Sequence, residues 1–132
     1  RPIDVFNHGK MRRDFTYIDD IAEGTVRVID RPATAAPAFV SDDPDPATSW
    51  APYRVFNIGN HNPVELMDYI AALEKALGKE AKKNFLPMQA GDVPATSANT
   101  AELRAHTGFA PAMPVEEGVR RFVEWYRDYF RA

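Results

Sequence analysis

The chain of 132 residues contains no cysteine. That excludes disulfides, thiolate metal centres and cysteine nucleophiles, and it fits a reducing, cytoplasmic setting. Serine is scarce: Ser41, Ser49 and Ser97 are the whole set, and none sits in a Gly-x-Ser-x-Gly elbow, so serine-hydrolase chemistry has no basis. His8, His61 and His106 stand alone, with no second ligand at metal-binding spacing, and each reads as a surface or turn residue. Surplus positive charge is also missing. A net charge of −3 argues against binding to nucleic acid or to an anionic membrane, so any phosphate site must be local. No apolar run approaches the roughly 20 residues that span a bilayer, and Arg1-Pro2-Ile3-Asp4 lacks the apolar core of a signal peptide. The first residue is not Met, which raises the expectation of a piece of a longer protein.

Glycine is present but dispersed, at positions 9, 24, 59, 78, 91, 108 and 118. No pair has the spacing that lets backbone approach a dinucleotide pyrophosphate, so no cofactor loop is expected in this chain. Nor is any tyrosine followed four residues later by lysine, a pair that supplies a proton-transferring phenolate. The expectation is therefore no catalytic residue, no cofactor-binding residue and no metal ligand within these residues.

What is there fits one domain with a core of ordinary size, since 45% of the residues are hydrophobic. Ile3 to Asn7 alternates apolar and polar residues and reads as a short strand ending at His8-Gly9. A helix is expected next, with Asp20 as N-cap, Glu23 closing a capping box, Ile21, Thr25, Val28 and Ile29 on one face, and Arg31-Pro32 as its end. Residues 31–52 hold five of the eleven prolines and the acidic run Asp42, Asp43, Asp45; they read as a solvated loop without the alternation of a calcium site. Tyr53 to Ile58 reads as a strand buried on both faces, made to join a larger parallel sheet, with self-association expected if its neighbours are missing. Asn62-Pro63-Val64-Glu65 predicts a helix start, and the helix runs to Gly78. Asn84 to Met88 is a weaker strand, interrupted by Pro87. A short helix from Thr100 to His106 ends at Gly108, and a last helix spans about Val115 to Phe130 with Val119, Phe122, Val123, Tyr126 and Phe130 as its stripe. Trp125 and Tyr129, at helical spacing, read as packing rather than as a stacking platform. Alternating strands and helices indicate α/β architecture.

The densest chemistry lies in Lys10 to Ile21, which combines a cation pair, aromatics and a helix start. Arg13 presents a planar fork suited to paired phosphoryl oxygens, and Phe15, two residues on, points to the same side of an extended segment. Taken alone, the pair reads equally as a surface arginine beside a core phenylalanine. Asp92, after Gly91, is placed to accept both hydroxyls of a cis-diol such as a ribose; alone it is an ordinary turn.

The order of these segments narrows the reading. Arg13-Asp14-Phe15-Thr16-Tyr17-Ile18-Asp19-Asp20, then Asn57-Ile58-Gly59, then Gln89-Ala90-Gly91-Asp92, together with Gly108-Phe109-Ala110-Pro111 and Phe122-Val123-Glu124-Trp125-Tyr126, resemble the C-terminal part of nucleotide-sugar epimerases of the extended short-chain dehydrogenase superfamily. The 31–52 insertion and the Arg12-Arg13 pair look most like the UDP-glucuronate 4-epimerases. The resemblance implies an α/β, C-terminal substrate-binding portion of a Rossmann-type enzyme, with few short strands and about four helices. It also implies an absent N-terminal part that binds NAD, a homodimeric longer protein, and a role in polysaccharide biosynthesis. By the same resemblance, Arg13 clamps the diphosphate, Phe15 lies near the nucleotide, Gln89 contacts ligand without adding charge, and Asp92 holds the ribose. Backbone groups of Asp4 and Phe6 read the uracil edge. The family oxidises the sugar 4-hydroxyl transiently and restores it with inverted configuration, which requires a fixed nucleotide while the sugar turns. Other readings remain: a related UDP- or dTDP-sugar epimerase, dehydratase or decarboxylase, or a noncatalytic nucleotide-binding module.

Overall fold

In a computed structural model describing residues 1–131, the chain is mixed α/β. Its elements are β1 (Ile3–Val5), a 3-10 turn (Phe6–Gly9), β2 (Arg12–Arg13), α1 (Ile18–Ile29), β3 (Val64–Glu65), α2 (Leu66–Leu77), β4 (Lys83–Phe85), α3 (Ala101–Thr107) and α4 (Val115–Phe130). The few short strands and four helices agree with the α/β expectation. The strands form two pairs. β1 runs parallel to β4, with Asp4 opposite Asn84, and β2 runs antiparallel to β3, with Arg12 opposite Glu65. Arg12 also bridges Ala95, its N–H donating to Pro94 O at 2.9 Å while its carbonyl accepts from Thr96 N at 3.2 Å. The segment that carries Arg13 is thus held from two sides.

Where the strands formed, neighbours decided the boundaries. β1 stops at Val5 because Asn7 and His8 turn to φ of 49° and 50°, and Asn7 Nδ2 closes the turn on Lys10 O at 2.7 Å. Tyr53–Ile58 is not a strand buried on both faces: beyond the bridge of Arg54 to Thr48 it pairs with nothing among the described residues, and Val55 is 48% exposed. A strand needs a neighbour to take its ladder bonds, and this segment has one only at its start. β4 is shorter than expected, ending before Leu86 and Pro87.

The helix starts differ from the capping signals for a related reason. α1 begins at Ile18 with Tyr17 as N-cap, so Asp20 is not the cap; its Oδ2 accepts instead from Ala112 N at 3.0 Å and Met113 N at 2.9 Å, tying α1 to the approach of α4. α2 begins at Leu66 rather than at Pro63, because Val64–Glu65 pairs with β2 and Leu66 N donates to Met11 O at 2.8 Å. The helix ends were legible: Gly78 and Gly108 take the left-handed conformation at φ 66° and 73°.

The core is small. Val5, Met11, Ile70, Leu103, Val119 and Val123 are its buried apolar residues, and α4 packs on α2. The rest of the expected α4 stripe is open: Phe122, Tyr126 and Phe130 are exposed, as is Ile29 of α1. Trp125 and Tyr129 do not pack into a core either; they stack on each other at 5.4 Å on the outer face. α2 covers only one side of the helix.

Candidate functional site

β2 and the turn after β4 bring the two ends of the expected site together. Arg13 Nη2 meets Asp92 Oδ1 at 2.9 Å, across 79 residues of chain, with side chains 25% and 31% exposed. Arg13 Nη1 donates to Arg12 O at 2.9 Å, which fixes the plane of the guanidinium. Asp92 sits in a turn closed by its own N–H on Gln89 O at 3.2 Å, with Gly91 at φ 83°. Oδ1 of Asp92 takes both Arg13 and the Val93 N–H at 2.8 Å, whereas Oδ2 takes no described hydrogen bond. The remaining Arg13 donors and Asp92 Oδ2 therefore form an adjoining donor and acceptor, half exposed.

Phe15 goes elsewhere. Its ring stacks on Tyr69 of α2, centroids 4.0 Å apart and 11° from parallel. The pair helps line an apolar cavity of about 220 Å³ with Tyr17, Met113, Val119 and Phe122. Arg13 and Phe15 leave the same segment but find different partners, so the described contacts do not form the expected joint surface for phosphate and ring. Gln89 supplies the turn's carbonyl, and its side chain stands exposed.

Asp4 and Phe6 lie at the other end. Ile3 N–H and Val5 C=O bond towards β4, to Lys82 O and from Leu86 N, both at 2.9 Å. The alternation of a parallel ladder then turns the Asp4 N–H and C=O to the free edge. Asp4 Oδ1 accepts from Asn84 Nδ2 at 2.9 Å, and Phe6 lies in the 3-10 turn.

Sequence reasoning gave no role to Asp14 or Tyr69, and gave Asp20 the wrong one, as a helix cap. Asp14 Oδ2 accepts from His61 N at 3.0 Å and Ala98 N at 3.1 Å, and Oδ1 from Asn62 N at 3.4 Å. No local signal identifies such partners, because they lie 47, 84 and 48 residues away. The three histidines hold turn or surface positions: His61 Nδ1 pairs with Ala98 O at 2.8 Å and His106 Nε2 with Arg31 O at 2.8 Å. Among the described residues no group of three or more His, Cys, Asp and Glu gathers as metal ligands, and no helix is long and apolar enough to cross a membrane.

The strongest electrostatic perturbation lies outside this site, on α4. Hydrogen bonds from Arg120, then Arg121, hold the Glu117 carboxyl down at about 2. The same bonds raise both arginines, Glu117 being the first cause for each. On α2, Lys83 and the Ala81 N–H lower Glu74.

Comparison with known proteins adds four matches. The NAD dependent epimerase/dehydratase family matches residues 1–59. The "Probable UDP-glucuronate 4-epimerase" of Rhizobium meliloti (strain 1021) is 49% identical over 135 residues, covering 99% of this chain and 39% of that protein. Protein CapI of Staphylococcus aureus is 49% identical over 129 residues, covering 98% of this chain and again 39% of the relative. Among solved structures, UDP-glucuronic acid 4-epimerase from Bacillus cereus, in complex with UDP-glucuronic acid and NAD, superposes with a TM-score of 0.73 at 27% identity, over 98% of this chain and 36% of that one. The chain thus spans well under half the length of these relatives.

Among the described residues the glycines do not form a cradle for a dinucleotide: Gly9, after β1, is packed against the Met67 side chain. Gly24 packs on Phe109 and Ile58, Gly59 on Ala98, and Gly118 on Tyr17, while Gly78, Gly91 and Gly108 occupy open left-handed turns. None opens a strand, glycine loop and helix unit that cradles pyrophosphate.

Proposed function

We propose that this chain is a member of the NAD dependent epimerase/dehydratase family and the substrate-holding portion of an NAD-dependent nucleotide-sugar 4-epimerase, with UDP-glucuronate as substrate of the longer protein. The observation that carries the reading is the meeting of Arg13 with Asp92 at 2.9 Å, which places a guanidinium fork and a carboxylate with a spare oxygen side by side. The guanidinium takes the diphosphate through the donors that Asp92 and Arg12 leave open, and Asp92 Oδ2 accepts from the ribose hydroxyls. Gln89, in the same turn, reaches ligand as a neutral group. Asp4 presents backbone donor and acceptor from the free edge of β1, in keeping with an edge such as uracil that offers both.

In this reading the chain anchors and does not transform. Holding the nucleotide while the sugar stays free to turn is the entropic part of a 4-epimerisation, and it needs neither a Tyr-x-x-x-Lys pair nor a dinucleotide loop. NAD, bound by other residues of the longer protein, supplies hydride transfer. The purified 132 residues are expected to show no turnover of UDP-glucuronate, and measurable turnover refutes this. Saturation-transfer NMR tests the anchoring. Uridine and ribose protons of UDP-glucuronate should receive magnetisation from the chain; equal transfer to free glucuronate, which lacks the nucleotide, overturns the reading.

A further inference from the structure

We propose that Asp14 is a positioning residue for this site, acting through Arg13 and Asp92. The proposal rests on the reading that those two side chains hold the nucleotide. One carboxylate gathers three backbone N–H groups from two distant segments: His61 and Asn62 at the approach to β3 and α2, and Ala98 six residues after Asp92. Asp14 itself lies between Arg13 and Phe15. It therefore fastens together the segments carrying Arg13, Asp92 and Tyr69, the partner of Phe15. Carboxylate acceptors of backbone N–H groups are charge-assisted and directional, so the fastening is geometric as well as energetic.

The packing around it is equally specific. A Cβ on Gly59 would stand 2.4 Å from the Ala98 Cβ, closer than that atom allows, and a tight 3.0 Å from Asp14 Oδ2. Gly59 is what permits the 59–62 and 96–98 backbones to approach the carboxylate. Arg12, on the other side of Arg13, is stitched to Pro94 and Thr96. With Asp14 in place, Arg13 is held at both flanks, and the spacing to Asp92 is set by backbone rather than by the surface ion pair, which alone is worth little.

Electrostatics gives this proposal a distinguishing sign. Asp14→Asn keeps the shape and removes a negative charge beside an anion site, so a purely coulombic role predicts tighter binding of UDP. The amide also sets an NH2 donor against either the Asn62 N–H or the His61 and Ala98 N–H groups, weakening the fastening, so positioning predicts weaker binding. The test is titration calorimetry with UDP on the whole chain. Asp14→Asn should bind at least about tenfold more weakly. Gly59→Ala should weaken binding in the same direction. Val123→Ala, a core change on α4 away from the site, should leave affinity unchanged while lowering the melting temperature. Should Asp14→Asn not fold by circular dichroism, Asp14→Glu, which keeps the charge and displaces the oxygens by one methylene, carries the same expectation. Affinity for Asp14→Asn equal to or tighter than wild type, or an equal loss for Val123→Ala, overturns the proposal. Absence of UDP binding by the wild type overturns instead the site reading on which it rests, and the role of Asp14 with it.

Discussion

Ile3 to Asn7 and Tyr53 to Ile58 both read as strands, yet the molecule treats them differently. The first finds β4, and its Val5 is 1% exposed; the second finds one bridge, and its Val55 is 48% exposed. Both are rich in β-branched and aromatic residues, so the difference is not propensity. It is whether another backbone lies alongside to take the ladder bonds and another layer covers the face. The stitched region is also where the candidate site lies: β2 is bonded to β3 and, through Arg12, to Pro94 and Thr96, which fixes Arg13, whereas Tyr53–Ile58 contributes the Asn57 contact to Asn99 O at 3.3 Å and the Ile58 packing on Gly24.

Substitution sharpens that contrast most. Val5→Ala should cost about 2 kcal/mol of unfolding free energy, from lost burial plus the cavity left behind. Val55→Ala should stay within about 0.5 kcal/mol, as exposed positions do. Urea denaturation of both variants measures the gap, and similar losses would erase the distinction. A smaller effect concerns the outer charges of α4. Glu117 titrates near 2 in the folded chain, below its ordinary 4.5, so its stabilisation is complete above about 4.5 and is lost as pH falls towards 2. Glu117→Gln should therefore lower the melting temperature at pH 7 and lower it far less at pH 2, where the carboxyl is only about half ionised; a difference of equal size at pH 2 rules out this titration as the cause. The smallest effect is in amide exchange. Leu86 N–H, bonded to Val5 O, should exchange more slowly than Val55 N–H, bonded to Ala47 O.

Much of this was legible in the residues. α4 spans Val115–Phe130 as its periodicity indicates, and glycines mark the ends of α2 and α3, because those signals are local. Arg13 and Asp92, which the resemblance assigns to one substrate site, lie 2.9 Å apart. Asp20 misled because a carboxylate three residues before a glutamate looks like a cap, while in the fold it serves the Ala112 and Met113 N–H groups. Asp14 was invisible for the same reason: its partners are remote backbone. Phe15 was placed beside Arg13 by strand alternation, but Tyr69 drew it towards the apolar cavity. Local pattern reports what a residue is suited to, and tertiary partners decide which use it takes.

The central claim is that Arg13 and Asp92 form a nucleotide-diphosphate anchor, and calorimetry with UDP on wild type and Arg13→Ala tests it most directly. Loss of a charge-assisted contact should weaken binding by roughly tenfold to a hundredfold. Equal affinities for the two proteins would remove Arg13 from the site and contradict the account.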